Sequence, residues 1–226
     1  MIAADIMVRG VVTIGPDESV ARAAALMTAN DVSALPVIST DGRLVGIISE
    51  ADLMRREEIG TEHRRPWWVE AMMPATTLAN EFAKSHGKRV AELMSQHIVS
   101  ASEDTPLAEI AALLERNRIK RVPIIKDGKL VGIVSRANII QALASSKRAP
   151  DAEQQAESDR AIRSEILARL AEQRWTDFGS RNVIVTAGVV HLWGLVGSPE
   201  ERRALTSLAE SVSGVIGVVD EMIPAY

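Results

Sequence analysis

The chain has 226 residues, 46% of them apolar and 25% charged, which is enough for one large domain or two smaller ones with a packed core. It has no cysteine, which excludes disulfides, thiolate catalysis and thiolate metal ligation. A formal net charge of −4 argues against a general nucleic-acid binder, which is usually basic, and no apolar run approaches the ~20 residues that a membrane span needs.

The opening segment, MIAADIMVRG, carries an acid and lacks the apolar stretch of a secretory signal, so a soluble, cytoplasmic protein is expected. A short strand is predicted over residues 11–14, followed by a turn at Asp17. Val20, Ala23, Ala24 and Met27 then recur at helical spacing and predict one buried helix face. Two strands joined by Asp41-Gly42 read as a hairpin. A second helix is predicted after Ser49.

An internal repeat follows. RLVGIISEADLM, beginning at Arg43, returns as KLVGIVSRANII, beginning at Lys129. SALPVIS, beginning at Ser33, returns as KRVPIIK, beginning at Lys120, and the second copy is one residue shorter at its Asp127-Gly128 turn. The second copy has its own strand over 98–101, a turn at Asp104, and a helix face of Leu107, Ile110, Ala111 and Leu114. Each unit therefore runs β-α-β-β-α. One such unit exposes an apolar sheet face, so two are expected to pack as a pseudo-twofold pair.

Between the copies, residues 57–88 form an insert with Arg64-Arg65-Pro66-Trp67-Trp68, then Met72-Met73-Pro74, then a short helix over 78–86 stopped by Gly87. The adjacent tryptophans suit a partner surface or base stacking. A cap on the core or a dimer contact is the preferred reading. Residues 146–157 are polar and without apolar periodicity, and read as a linker.

Beyond the linker, Ser158-Asp159 can cap a helix whose face is Ile162, Ile166, Leu167 and Leu170. Strands over 182–186 and 189–196 follow, with Ala187-Gly188 as a tight turn between them. Pro199 opens a second helix with Ala204, Leu205, Leu208, Ala209 and Val212 buried, and Gly214 ends it. A last strand runs over 215–223. The order is α-β-β-α-β. His191 and Trp193 alternate on one strand and read as sheet surface.

The repeated units resemble CBS domains. The residues that carry the resemblance are Leu35-Pro36-Val37 and Val122-Pro123-Ile124, the Asp-Gly hairpins, and the closing GIISEAD and GIVSRAN segments that begin at Gly46 and Gly132. The boundaries so implied are residues 1–56 and 89–145. The resemblance implies regulatory binding of an adenosine-containing ligand (AMP, ADP, ATP, NAD or S-adenosylmethionine) in clefts between the repeats, with no cofactor required. It places Ser49 and Asp52 at a ribose in the first copy, and Ser135 and Asn138 in the second. An ionised carboxylate accepts from both ribose hydroxyls, whereas an amide has one acceptor oxygen. The family pattern also places a basic residue two positions before the strand proline at phosphate. Arg121, next to Lys120, holds that position in the second copy, and Ala34 holds it in the first. Thr13 and Ser100, at matching positions, are candidates to line an adenine pocket or are ordinary strand residues. Ser49-x-x-Asp52 and Ser135-x-x-Asn138 equally suit a helix N-cap and its third residue. CBS pairs commonly dimerise, so a homodimer through the repeats is implied.

Residues 158–226 resemble the BON domain, through VVHLWGLV beginning at Val189, Pro199-Glu200-Glu201-Arg202, and VIGVVD beginning at Val215. The resemblance implies association with phospholipid; read on its residues alone, the segment is a small α+β module that binds a partner or packs on the repeats. The four histidines have no ligand-like spacing, so no metal site is expected, and no catalytic motif is present. The expected protein is an α+β regulatory sensor, not an enzyme, that passes a ligand signal to its C-terminal domain. The alternative is a scaffold that dimerises through the repeats and binds lipid or protein regardless of nucleotide.

Overall fold

A computed structural model describes residues 1–54, 72–74, 76–77, 86–145, 152–176 and 182–225. The segment from Arg64 to Trp68 and most of the helix expected over 78–86 lie outside the described residues. The fold is mixed α+β and divides into two compact units, residues 12–98 with 128–130, and residues 1–11, 99–127 and 131–226.

The first repeat belongs to one unit. Helix α2 (Val20–Ala29) is capped by Ser19, which accepts from the Arg22 amide at 3.1 Å, while the single turn α1 (Ala3–Ile6) ahead of it belongs to the other unit. Strands β1 (Ala34–Ile38) and β2 (Leu44–Ser49) pair antiparallel, with a register shift between Val37 and Ile38. That irregularity absorbs the extra residue of the first hairpin. The single turns α3 (Glu50–Leu53) and α4 (Val90–Leu93) follow among the described residues. Ile14, Ala23, Met27, Leu35, Val37, Ile48, Val90 and Leu93 form its core. Ala24, expected on the buried helix face, is exposed, and half-buried Leu26 packs on the core in its place.

The second repeat lies in the other unit: helix α5 (Leu107–Arg116), hairpin β3 (Arg121–Lys126) and β4 (Lys129–Ser135), and helix α6 (Arg136–Ser145). Its turn has Asp127 at φ 51° and Gly128 at φ 78°, the mirror-image geometry of a two-residue hairpin. The strand expected at the start of each repeat is reduced to a single parallel bridge, Ile14 to Val37 and Ala101 to Ile124. The prolines explain the contact. Pro36 and Pro123 have no N–H, but their carbonyls accept from Ile14 (3.1 Å) and Ala101 (3.1 Å).

Each core is completed by a segment from the start of the other repeat. Val8 bridges Ile133 of β4, and Ser95 bridges Ile47 of β2. Glycine in each strand lets that segment approach. A Cβ on Gly132 would stand 2.6 Å from Met7 Sδ and 3.1 Å from the Val8 carbonyl oxygen, and one on Gly46 would stand 2.9 Å from Met94 Cγ. Gly132→Ala is expected to cost about 1–3 kcal/mol by overpacking, read as a lower urea midpoint with unchanged slope. An unaltered midpoint would mean that Met7 moves aside at no cost.

The C-terminal elements are the long helix α7 (Ala152–Ala171), strands β5 (Asn182–Thr186) and β6 (Val189–Val196), helix α8 (Pro199–Glu210) and strand β7 (Gly217–Pro224). The sheet order is β5-β6-β7, antiparallel then parallel, with α8 as the crossover. Helix α7 starts six residues ahead of the expected cap at Ser158-Asp159, so Asp159 lies inside the helix. Its carboxylate instead accepts from the Ala187 and Gly188 amides, both at 2.8 Å. One sheet face, with Val183, Val185, Val190, Leu192 and Val196, packs on α7 and α8 residues. The opposite face is not surface. Ile184 is fully buried in the core of the second repeat with Ala3, Ile6 and Ala142, and Trp193 packs against the same core. His191, expected on the surface, is 5% exposed.

Candidate ligand site

Both repeats build the same corner at the start of the helix that follows the hairpin. In the first, the Ser49 amide (2.9 Å) and hydroxyl (2.7 Å) both donate to Asp52 Oδ2. In the second, the Ser135 amide (2.8 Å) and hydroxyl (2.8 Å) donate to Asn138 Oδ1, and the Asn138 amide donates back to Ser135 Oγ at 3.3 Å. The capping geometry that the spacing suggested is therefore present. The residue after each serine ties the corner to the proline strand: the Glu50 amide donates to the Ser33 carbonyl, and the Arg136 amide to the Lys120 carbonyl, both at 3.1 Å.

That tie decides which candidates meet. In the second repeat Lys120 and Arg121 are held beside the Ser135 corner, Lys120 exposed and Arg121 half-buried. A cationic side chain is therefore within the same neighbourhood as the helix N-terminus, where an anion is favoured. In the first repeat the matching residues are Ser33 and Ala34, so Asp52 has no cation from that strand. Thr13 and Ser100 are both exposed and each directly precedes the residue bridged to the proline strand, Ile14 or Ala101.

The two acceptors differ in their surroundings. Asp52 is half-buried as the third residue of the single turn α3. Asn138 is 6% exposed, and its Nδ2 donates to Gln141 Oε1 at 3.2 Å. That same oxygen accepts from Asn182 Nδ2 of β5 at 2.8 Å. One helical turn further on, Trp193 Nε1 donates to Ser145 Oγ at 3.2 Å. Sequence reasoning missed Gln141 and Asn182. Their signals are weak: one polar residue three places after Asn138 in an apolar helix, and one at the edge of the apolar run Asn182–Thr186.

Behind this corner, α7 clamps the N-terminal segment. Arg163, 4% exposed, donates to the carbonyls of Val183 (2.6 Å), Ala4 (3.0 Å) and Met7 (2.7 Å). Burial, with Arg9 nearby, pushes its guanidinium down to about 10, so it stays charged at neutral pH. Arg160 pairs with Asp5 at 2.6 Å, and that carboxylate raises the Arg160 pKa. Among the described residues no group of three His, Asp or Glu side chains is placed to hold a metal ion, and no helix is long and apolar enough to cross a membrane.

Two hairpin repeats with a shared Ser-x-x-Asp/Asn corner, followed by a small α+β domain, define a tandem-repeat CBS architecture. The chain belongs to the CBS domain family, matched at residues 3–58 and 90–145, and it carries a BON domain matched at residues 158–223. It is 31% identical over 144 residues to the CBS domain-containing protein CBSX1 of Arabidopsis thaliana, a match covering 61% of this chain and 61% of the relative. It is 30% identical over 154 residues to an uncharacterised protein of Methanocaldococcus jannaschii, covering 63% of this chain and 91% of the relative. The crystal structure of CBSX2 in complex with AMP is similar at a TM-score of 0.57 and 29% identity, over 65% of this chain and 99% of that one.

Proposed function

We propose that the protein is a regulatory sensor of an adenosine-containing ligand, with AMP the first to test and with no catalytic step of its own. The observation that carries this is the likeness to a CBS pair crystallised with AMP, taken together with the Ser49–Asp52 corner. Asp52 supplies a carboxylate for the ribose hydroxyls, and Ser49 orients it. Asn138 with Ser135 is the weaker counterpart, and Arg121 with Lys120 offers cations for phosphate there. Thr13 and Ser100 line the base. In this reading the protein works in the cytoplasm as a homodimer. The dimer is supported by Ile140 and Leu143, exposed apolar side chains three residues apart on α6.

The test is calorimetric titration with AMP, ATP, NAD and S-adenosylmethionine. Saturable binding is expected, weakened about 10- to 100-fold by Asp52→Ala, the range for losing hydrogen bonds to a charged acceptor. Flat titrations with all four ligands, on protein shown to be folded, would sink the proposal. They would favour a scaffold that binds lipid or protein through its BON domain.

A further inference from the structure

We infer that the BON domain is a built-in competitor for the second repeat's ligand corner, acting through Gln141. Gln141 Oε1 is shared by two donors, Asn138 Nδ2 at 3.2 Å and Asn182 Nδ2 at 2.8 Å. The first donor belongs to the candidate ribose residue, and the second to the docked edge of the BON sheet. While β5 lies on α6, the Asn182 bond holds the Gln141 carbonyl oxygen toward Asn138. The Asn138 side chain then has its amide committed to Gln141 and its oxygen committed to Ser135. With 6% exposure it has little left to offer a ribose hydroxyl. With its oxygen held by Ser135, Asn138 meets a ribose oxygen through Nδ2; a ligand that accepts there must break the bond to Gln141, which is then free to turn away from Asn182.

The docked strand carries a standing penalty. Asn182 Oδ1 and Thr186 Oγ1, both on β5, are buried without a hydrogen-bond partner. Water would satisfy both on undocking, so the docked state carries a penalty that separation removes. The apolar contacts of Ile184 and Trp193 and the Arg163 hydrogen bonds to the Ala4 and Met7 carbonyls oppose this, so the docked state prevails without ligand and the coupling shifts its population. Ligand at Asn138 and β5 on α6 therefore oppose one another. Binding of the ligand raises the population in which the Ile184–Trp193 face of the BON sheet is uncovered.

Coupling of this kind is reciprocal: whatever factor docking takes from ligand affinity, ligand must take from docking. The inference rests on the sensing proposal, and its test separates the two. In an Asp52→Ala background, where the second corner is the one read, AMP is titrated into that protein and into its Asn182→Ala and Asn138→Ala derivatives. Asn182→Ala is expected to tighten AMP binding by about three- to tenfold, because the competent state becomes more populated. Gln141→Ala should do the same, which guards against a defect peculiar to Asn182. Asn138→Ala should weaken binding. Saturating AMP should also speed amide hydrogen exchange over residues 182–186. Affinity unchanged within about twofold in both relief variants, with exchange over β5 unaltered or slowed, overturns the coupling and leaves sensing intact. AMP bound by the wild type but by none of the Asp52→Ala proteins overturns the coupling alone. No binding by any protein, wild type included, overturns sensing and the coupling with it.

Discussion

Arg163→Ala is expected to lower stability by about 3–5 kcal/mol, far more than any surface charge removed from this chain. The guanidinium is 4% exposed and its fork reaches three main-chain carbonyls, those of Val183, Ala4 and Met7. Ala4 and Met7 lie at the end of the single turn α1, where carbonyls have no partner within the helix. Truncation leaves these acceptors in a closed interface at about 1–3 kcal/mol each, reduced by whatever water enters the cavity. Arg160→Ala is the control. Its ion pair with Asp5 is as short, but the Arg160 side chain is 41% exposed, so about 0–1 kcal/mol is expected. Arg163→Lys should not rescue, since a point charge cannot bond three carbonyls in a plane. Urea denaturation of the three variants decides. A loss below about 1 kcal/mol for Arg163→Ala would mean that water replaces the guanidinium and that the clamp holds nothing.

This clamp shows where sequence patterns stop being informative. The repeats were legible because each hairpin combines a period-two strand with Asp-Gly, and because the Ser-x-x-Asp and Ser-x-x-Asn spacings match a helix start. The BON sheet was legible from Val189 to Val196 and from the crossover opened by Pro199. Packing of the module on the repeats was one expected alternative, but the sheet face that docks reads as surface, although β5 carried a sign of it. Val183, Ile184 and Val185 are three consecutive apolar residues, and a continuous apolar strand is buried on both faces. What the sequence cannot state is whose surface covers the second face. Arg163 was invisible for a different reason. A lone arginine beside an apolar helical stripe normally reaches water, and only the approach of Ala4 and Met7, far away in sequence, turns it inward. Gln141 and Asn182 are equally silent singly. Their meaning comes from one shared oxygen. The inner position of Asp159 likewise needed the helix start, which a polar stretch without apolar periodicity did not mark.

Asp159→Ala is expected to cost about 2–4 kcal/mol, because its carboxylate serves a turn that is strained without it. Ala187 stands at φ 51° and Gly188 at φ 73°, the two positive values that a two-residue hairpin of this twist requires. Glycine takes that conformation at no steric cost, but a Cβ at Ala187 costs roughly 1 kcal/mol. Both turn amides point at Asp159, one to each oxygen, at 2.8 Å, and the acid is 9% exposed. Removing it leaves two donors with little water and a turn with no restraint on its strained residue. Ala187→Gly should move the other way, gaining up to about 1 kcal/mol by relieving the strain. Combining the two substitutions separates the effects. If the carboxylate mainly compensates strain, Ala187→Gly should recover much of the Asp159→Ala loss. If it mainly satisfies the two amides, the effects should add, and the double variant should regain no more than Ala187→Gly gains alone. Denaturation midpoints of the four proteins decide, together with exchange rates of the Ala187 and Gly188 amides. Unchanged exchange in Asp159→Ala would show that the turn needs no support from α7.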